Sequence, residues 1–241
     1  MVSKNQIKLI TSLQQKKYRK QEQLFFAEGV KVVQELLNSN FELQDLFTTK
    51  QDFLTVSKDK VHAISEAELK KISALTTPNT CLAVFKMPKS KDFVEKGLIV
   101  ALDDVRDPGN LGTIIRLCDW FGIETLFCSE ESVDIYNPKV VQATMGSISR
   151  VNVVYGNLEA FLTKTKLPVF GTFMDGKNIY QEKLPKEGII IMGNEANGIS
   201  SLVEKLVSER IAIPRFGNLQ VTESLNVATA TAIILSEFKR T

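Results

Sequence analysis

The chain has 241 residues, of which 44% are hydrophobic, and its formal net charge is +2. This length and composition predict one large or two modest globular domains and exclude an intrinsically disordered chain. No apolar run approaches the length of a membrane span, and the polar, basic N-terminus does not resemble a signal peptide, so we expect no membrane insertion.

Three cysteines and one histidine limit the metal and redox chemistry of the chain. Cys81, Cys118 and Cys128 lie among apolar residues without the spacing of metal ligands, so we predict reduced core thiols in a cytoplasmic protein. A zinc site or a histidine-based triad is hard to build around His62 alone, and its Val-His-Ala-Ile context favours a structural strand position. We therefore expect no metal site.

The N-terminal segment is basic and carries no acidic residue before Glu22. Ile7, Ile10 and Leu13 have the spacing of a helix. The basic residues of the segment are Lys4, Lys8, Lys16, Lys17, Arg19 and Lys20. A nucleic-acid phosphate backbone attracts such a cluster, although a solvated basic helix explains it equally well.

The remainder of the first half is typical of a small α/β module. A helix is predicted after Gly29, and a capping-box signature at 65–68 opens another helix that continues to about residue 73. Strands are predicted at 24–27, 41–48, 61–64 and 81–85. The composition then shifts to proline and charge at 87–92, where we place the boundary between domains 1–88 and 95–241.

The second half alternates strands and helices regularly. Strands are predicted at 98–103, 124–128, 151–155, 168–172, 188–193 and 210–213, and helices at 110–121, 138–145, 157–164, 199–207 and 224–239. This alternation predicts a parallel sheet covered by helices on both faces. Ligands of such sheets bind beyond the carboxyl ends of the strands, so the loops after Leu102, Met192 and Ile213 are the candidate site.

The loop after Leu102 enters its helix through Asp-Pro-Gly-Asn, a turn sequence in which Asn110 is a good N-cap. Arg116 lies off the apolar stripe of that helix, on the face with Gly112 and Asp119. A guanidinium there is placed to grip a phosphate or to stabilise a developing oxyanion. A surface ion pair between Arg116 and Asp119 is the plainer alternative.

The loop after Met192 runs from Gly193 to Gly198 and contains Glu195. Glycine permits close backbone approach to a ligand, whereas Glu195 alone is explained equally by a place in the first turn of a helix. The fingerprints of dinucleotide and nucleoside-triphosphate binding are missing from the sequence.

The loop after Ile213 leads into a helix predicted to begin at Ser224, with small or apolar residues on nearly every side. Glu223, Ser224 and Asn226 lie at this junction. A buried helix capped by a polar residue accounts for Ser224 but not for Asn226, because asparagine is a poor helix former. The residues alone thus indicate an adenosine-sized site at three strand ends and leave the reaction open.

These loops carry three ordered motifs that resemble those of the SpoU/TrmH-type RNA 2′-O-ribose methyltransferases of the SPOUT superfamily. The motifs are Asn110-x-Gly112-x-Ile-x-Arg116, Met192-Gly-Asn-Glu195-x-x-Gly198, and Ile213-Pro214 followed by Ser224-Leu-Asn226. The N-terminal run from Lys16 to Gly29 is similar to that family's substrate-binding module. The resemblance covers nearly the whole chain.

The resemblance implies a fold, a cofactor and a set of site residues. The fold is a C-terminal parallel-sheet α/β domain with a trefoil knot, a smaller N-terminal α/β domain like RNA-binding ribosomal proteins, and a homodimer formed through the knot region. The cofactor is S-adenosylmethionine, with implied contacts from Thr172, Met192, Gly193, Ile213 and Leu225. The implied reacting centre is Asn110, Arg116, Glu195, Ser224 and Asn226, and the implied RNA contacts are Lys16, Lys17, Arg19 and Arg116. The loop from Pro214 to Glu223 is longer than usual in the family, and Arg215 stands where an apolar residue is common.

The implied reaction transfers a methyl group from S-adenosylmethionine to a ribose 2′-hydroxyl. Ribosomal RNA is favoured as substrate because a separate N-terminal module is present. A transfer-RNA ribose methyltransferase and a non-catalytic RNA-binding or ribosome-assembly factor on the same scaffold are the alternatives. The role of Arg116 stays open between a base, as the family's proposals have it, and an electrostatic clamp, because arginine is essentially always protonated.

Overall fold

The computed structural model describes residues 1–50, 56–89, 93–219 and 224–240. In the first part of the chain the elements are α1 (Lys4–Ser12), α2 (Lys16–Glu22), β1 (Leu24–Glu28), α3 (Val30–Leu37), β2 (Leu43–Thr48), β3 (Val61–Ala63), α4 (Glu66–Ile72) and β4 (Cys81–Lys86). The later elements are β5 (Leu98–Leu102), α5 (Pro108–Trp120), β6 (Thr125–Ser129), α6 (Pro138–Thr144), β7 (Asn152–Gly156), α7 (Leu158–Lys164), β8 (Val169–Asn178), β9 (Gly188–Met192), α8 (Ser201–Glu204), β10 (Glu209–Ala212) and α9 (Val227–Lys239).

The contacts between residues divide the chain into two compact units. The first comprises Met1–Ser90 together with Asp134–Ser149, and the second comprises Lys91–Val133 together with Arg150–Thr241. The segment that carries α6, which the sequence placed with residues 95–241, therefore packs in the first unit. The predicted linker at 87–92 lies partly outside the described residues.

Within its described residues, the first unit holds a four-stranded sheet in the order β1-β4-β2-β3. β4 is antiparallel to both neighbours, whereas β2 and β3 are parallel. Every residue of β1 is buried, and Ile10, Leu13 and Phe26 lie in the hydrophobic cluster of this unit. The helical spacing of Ile7, Ile10 and Leu13 thus correctly predicted a helix here, and a capping box at Ser3 begins it.

The second unit is built on a parallel sheet. In its described part the strand order is β10-β8-β9-β5-β6-β7, and every neighbouring pair is parallel. β5, β6 and β9 are buried along their whole length. Strands that are covered on both faces read as continuous apolar runs, which is why the sequence predicted them.

The end of the chain returns towards the middle of this fold. β10 lies at one edge of the sheet, and α9 after it packs against α5, the helix that follows β5. A C-terminal knot requires such a return. None of the helices in the described part of the chain has the length and apolarity needed to cross a lipid bilayer.

The largest departures from the predicted bounds are in α8 and β8. The helix predicted at 199–207 is the single turn α8, because Ser208 hydrogen-bonds to Val169 and draws the chain into the sheet. The strand predicted at 168–172 continues to Asn178. Its pairing with β10 moves from Gly171 to Lys177, so residues 172–176 form an irregular excursion within β8.

The three cysteines are buried free thiols, as predicted. Burial raises the pKa of Cys81 to about 12 and also raises the pKa of Cys118 and of Cys128. Thiols with raised pKa values are poor nucleophiles at neutral pH, so their role is packing.

Candidate functional site

The loops after β5 and β9 are joined by side-chain and main-chain hydrogen bonds. Asn194 donates from Nδ2 to the carbonyl oxygen of Asp104 over 2.6 Å, and the N–H of Ser200 donates to Oδ2 of Asp103 over 2.7 Å. The N–H of Asp103 donates to the carbonyl of Met192 over 2.9 Å. These bonds fix the two loops to each other at the carboxyl ends of central strands, where the parallel fold predicts a site.

The loop after β9 is also stabilised by hydrogen bonds between its own residues. Asn194 and Gly198 exchange two backbone hydrogen bonds of 2.9 Å, and Oδ1 of Asn194 accepts from the N–H groups of Ala196 and Asn197. A Cβ atom on Gly193 would lie 2.3 Å from the carbonyl carbon of Gly198. Glycine at 193 is therefore required by the turn itself, and any larger residue would force the loop apart.

Three predicted site residues form one hydrogen-bonded chain. Asn226 donates from Nδ2 to Oδ1 of Asn110 over 2.9 Å, and Asn110 donates from Nδ2 to Oε1 of Glu195 over 2.9 Å. Oδ1 of Asn226 accepts from the backbone N–H groups of Ala228 and Thr229. The start of α9 thereby fixes the amide of Asn226, which fixes that of Asn110, and all three loops meet at one place.

This geometry corrects two predicted helix starts. Asp107, not Asn110, is the N-cap of α5, and its Oδ1 accepts from the N–H of Asn110 over 2.8 Å. α9 begins at Val227 with Asn226 as its N-cap, so Asn226 is not inside a helix and Ser224 does not cap it. Proline at the first position of α5 and an Asn cap on α9 follow ordinary preferences. Asn226 is therefore a favourable helix cap and not, as predicted, an asparagine inside a helix, although it does lie at the junction of the loops.

Arg116 lies on the exposed side of α5. Among the described residues its guanidinium makes no hydrogen bond or ion pair. The alternative pair with Asp119 does not form, and Asp119 instead accepts from Nε of Arg150 over 2.9 Å. No hydrogen bond within the described part of the chain joins Arg116 or Ser224 to the chain of Asn226, Asn110 and Glu195.

The residues predicted to hold the cofactor offer apolar surface and main chain. Leu225 is 49% exposed, Ile213 is half-buried, and Gly193 presents only backbone. An uncharged adenosyl ring suits such surroundings, which contain a few placed polar groups among apolar ones. Of the loop 214–223, residues 220–223 lie outside the described residues, and these include Glu223.

Two other residues predicted to bind the cofactor also form hydrogen bonds within the protein. Met192 is buried at the end of β9 and holds the loop of Asp103 through its carbonyl. Thr172 lies at the start of the excursion in β8, and its hydroxyl donates to the carbonyl of Ile191 over 2.9 Å. Because that donor is used, the side chain of Thr172 can offer a ligand only its hydroxyl oxygen, as an acceptor.

The predicted RNA contacts in the first unit divide into two kinds. Lys16 and Lys17 are exposed on α2. Arg19 is only 2% exposed; it donates from Nε and Nη2 to Oδ2 of Asp134 and from Nη1 to the carbonyls of Leu13 and Gln14. The prediction that Arg19 binds RNA is wrong for this structure, because its guanidinium is buried and its nitrogens bind the protein.

Sequence reasoning missed the side chains that assemble the loops. Asn194 and Asp104 were not singled out, yet Asn194 orders its own loop and bonds to the next one. Asp104 has a φ of 58°, in the left-handed region that asparagine and aspartate tolerate best. The available signal was chemical, since Asx residues at strand ends commonly bond to nearby backbone.

Two protein-family models match the chain. The model described as the SpoU rRNA Methylase family matches residues 97–236, and the MRM3-like substrate binding domain matches residues 4–83. The 23S rRNA (guanosine(2553)-2′-O)-methyltransferase RlmP of Bacillus subtilis is 29% identical over 97% of this chain and 96% of its own length.

Two solved structures are similar to this chain over its whole length. A protein from Porphyromonas gingivalis assigned to the TrmH family of RNA methyltransferases is 40% identical, with a TM-score of 0.89 over 100% of this chain and 99% of its own. An AdoMet-bound rRNA methyltransferase from Sinorhizobium meliloti is 29% identical, with a TM-score of 0.87 over 100% of this chain and 97% of its own.

Proposed function

Because the chain belongs to the SpoU rRNA methylase family, we propose that it transfers a methyl group from S-adenosylmethionine to a ribose 2′-hydroxyl of ribosomal RNA. The observation that carries this proposal is the hydrogen-bonded chain of Asn226, Asn110 and Glu195, which joins all three motif loops. Similarity to RlmP, whose name specifies 2′-O-methylation in 23S rRNA, supports ribosomal RNA as the substrate class.

The protein's contribution to this reaction is binding, alignment and charge stabilisation. S-adenosylmethionine, when bound, supplies a sulfonium methyl group that is already electrophilic. Met192, Gly193, Ile213 and Leu225 would hold it through backbone and apolar contacts, with Thr172 accepting a hydrogen bond. The chain must then place the ribose oxygen in line and stabilise the negative charge that develops on it.

We assign that last task to Arg116. Its guanidinium is exposed and has no partner among the described residues, so all five N–H donors are available to RNA. Arginine stays protonated at neutral pH, so Arg116 acts as a clamp and not as a base. The hydroxyl proton leaves to an RNA phosphate oxygen or to water.

Glu195, Asn110 and Asn226 orient one another next to that centre. The Glu195 carboxylate accepts from Asn110 and, over 3.4 Å, from the N–H of Asp107. Because Asn226 is anchored on the start of α9, rotation of either amide would break a hydrogen bond at each end. We propose that this rigid set, together with Ser224, positions the target ribose.

Three further assignments stay proposals. Lys16 and Lys17 on the first unit bind RNA phosphates, so residues 1–88, together with the α6 segment that packs in the same unit, act as the substrate-binding domain. The rest of residues 95–241 acts as the catalytic domain. The protein acts as a homodimer through the region of α5 and α9, where Trp120 is 84% exposed. Tryptophan is enriched in protein–protein interfaces, so an exposed Trp120 suits this assignment. A cytoplasmic location stays a prediction.

The proposal is tested by mass spectrometry of ribose-methylated nucleosides. Ribosomal and transfer RNA from cells with and without the gene are compared, and the purified protein is given each RNA with isotope-labelled S-adenosylmethionine. We expect one 2′-O-methylation of ribosomal RNA to disappear and to be restored in vitro. Methylation confined to transfer RNA would overturn the substrate class. RNA binding without affinity for S-adenosylmethionine would instead indicate a ribosome-assembly factor.

A further inference from the structure

Arg106 lies at the edge of the proposed reacting centre and has no role in the assignments above. It directly precedes Asp107, the N-cap of α5, whose N–H faces Glu195. Its side chain is 71% exposed. The loop beneath it is fixed, because Asp104 donates its N–H to Oγ of Ser129 and accepts from Asn194 at its carbonyl.

The guanidinium of Arg106 is held at one end only. Nε donates to Oδ1 of Asp104 over 2.7 Å, which stops rotation about the end of the side chain. Within the described part of the chain, the two terminal nitrogens make no hydrogen bond. Arg106 therefore presents a pair of donors in a fixed direction, the geometry that suits the two oxygens of a phosphate.

The nearby acids use only part of the donor capacity of Arg106. Glu131 and Glu195 are near enough to raise the pKa of Arg106, after the larger effect of Asp104, yet neither pairs with it. Among its described neighbours, Arg106 pairs with Asp104 alone and only through Nε, so its two terminal nitrogens are left for a further acceptor. Keeping a long side chain ordered at 71% exposure costs conformational entropy, which a bound ligand would offset.

We propose that Arg106 binds a phosphate of the RNA strand next to the target ribose, with Asp104 as the residue that positions it. This inference rests on the proposed function and deepens it by assigning a substrate contact outside the three motifs. The ligand is the RNA phosphodiester, because the terminal donors face solvent beside the centre where the ribose must lie. Arg116 then acts on the reacting oxygen while Arg106 fixes the backbone.

The test is steady-state methylation of the RNA substrate by the full chain carrying Arg106→Ala. We expect KM for RNA to rise about tenfold, with kcat at saturating RNA and Kd for S-adenosylmethionine within about twofold of the parent. The dependence of RNA affinity on salt should lose about one unit of slope, the signature of one lost phosphate contact. A merely structural role would not change that slope.

Two further variants separate charge from positioning. Arg106→Lys keeps the positive charge but loses the pair of terminal N–H donors of the guanidinium. Its salt slope should stay near that of the parent, and its KM should lie between those of the parent and Arg106→Ala. Asp104→Asn tolerates the left-handed backbone but weakens the anchor. It should raise KM severalfold in the parent and have no further effect in the Arg106→Ala background.

Lys177→Ala is the matched control, since it removes one exposed charge of the same unit that is paired with Glu209. It should leave KM and the salt slope unchanged. The proposed phosphate contact of Arg106 is overturned if the parent methylates RNA and Arg106→Ala shows the same KM and slope, or if Lys177→Ala shows an equal loss. A parent that methylates no RNA would refute the proposed function itself, which is a distinguishable result.

Discussion

Arg19 in the first unit and Arg116 in the second were both predicted to contact RNA, but they differ in burial and in hydrogen bonding. Arg19 is buried, and its nitrogens bind Asp134 and two backbone carbonyls. Arg116 is exposed on α5 and has no partner among the described residues. One guanidinium therefore holds a fold together while the other is left for a ligand.

The difference shows that charge in a sequence does not by itself indicate a binding surface. Arg19 sits in the most basic stretch of the chain, yet its partner comes from a position 115 residues later. A buried charge must be paired, whereas an exposed unpaired one in a loop cluster is available for function. Removing each arginine should thus affect a different observable.

Replacing Arg116 should give the largest effect, on activity alone. We expect Arg116→Ala to lower kcat by about a thousandfold, because it removes the group that stabilises the developing oxyanion. The melting temperature and the Kd for S-adenosylmethionine, measured by calorimetry, should stay near those of the parent. Turnover of this variant at the parental rate would refute the clamp.

Replacing Arg19 should give the reverse result. Arg19→Met leaves the carboxylate of Asp134, which is 14% exposed, without its cation, and should lower the free energy of unfolding by about 3–5 kcal/mol. Urea denaturation measures this loss. Lys17→Met on the same helix should leave stability unchanged because Lys17 is exposed. Equal stability of both variants would mean that the Arg19–Asp134 pair contributes nothing.

Replacing Asn226 should affect both stability and activity, because this residue caps α9 and also belongs to the proposed site. Asn226→Ala should lower stability by about 1 kcal/mol through loss of the cap, and should also lower activity. Asn226→Asp keeps the cap but loses the donor to Asn110, so we expect activity to fall about tenfold at unchanged melting temperature. If the two variants lose activity only in proportion to stability, the amide chain has no role in the reaction.

The smallest effect is expected at the exposed lysines. Lys16→Ala combined with Lys17→Ala should weaken RNA binding and reduce its salt slope by about two units. Stability should not change, since both side chains are exposed on α2. Nitrocellulose filter binding across a salt series measures the slope, and Lys177→Ala, which removes one exposed charge from the second unit, is the comparison. An unchanged slope would mean that Lys16 and Lys17 do not contact RNA phosphates and that α2 is only a solvated basic helix.

The sequence predicted what depends on local periodicity and strand ends. The apolar runs of β5 and β9 predicted the parallel sheet, and Asn110 and Glu195 follow the ends of these two strands. The helix starts were less accurate, because Asp107 and Asn110 are both good caps and only their backbone geometry distinguishes them. The same ambiguity moved the start of α9 from Ser224 to Val227.

What the sequence did not predict depends on contacts between distant positions. The burial of Arg19 requires Asp134, and the excursion in β8 requires the shifted register of β10. Neither feature leaves a periodic pattern in its own segment. Pairings of this kind are set by tertiary packing, which overrides local preference.

The stretch Asp134–Ser149 has a consequence for how such proteins diversify. The family match at 97–236 includes it, yet its contacts are with residues 1–90. The chain therefore passes from one unit to the other three times, and Asp134 carries the carboxylate that Arg19 needs. An exchange of RNA-recognition modules between relatives cannot be made by a single crossover near residue 90. A viable chimera must take residues 134–149, which carry α6, from the same parent as residues 1–90. We therefore expect these two segments to have evolved together.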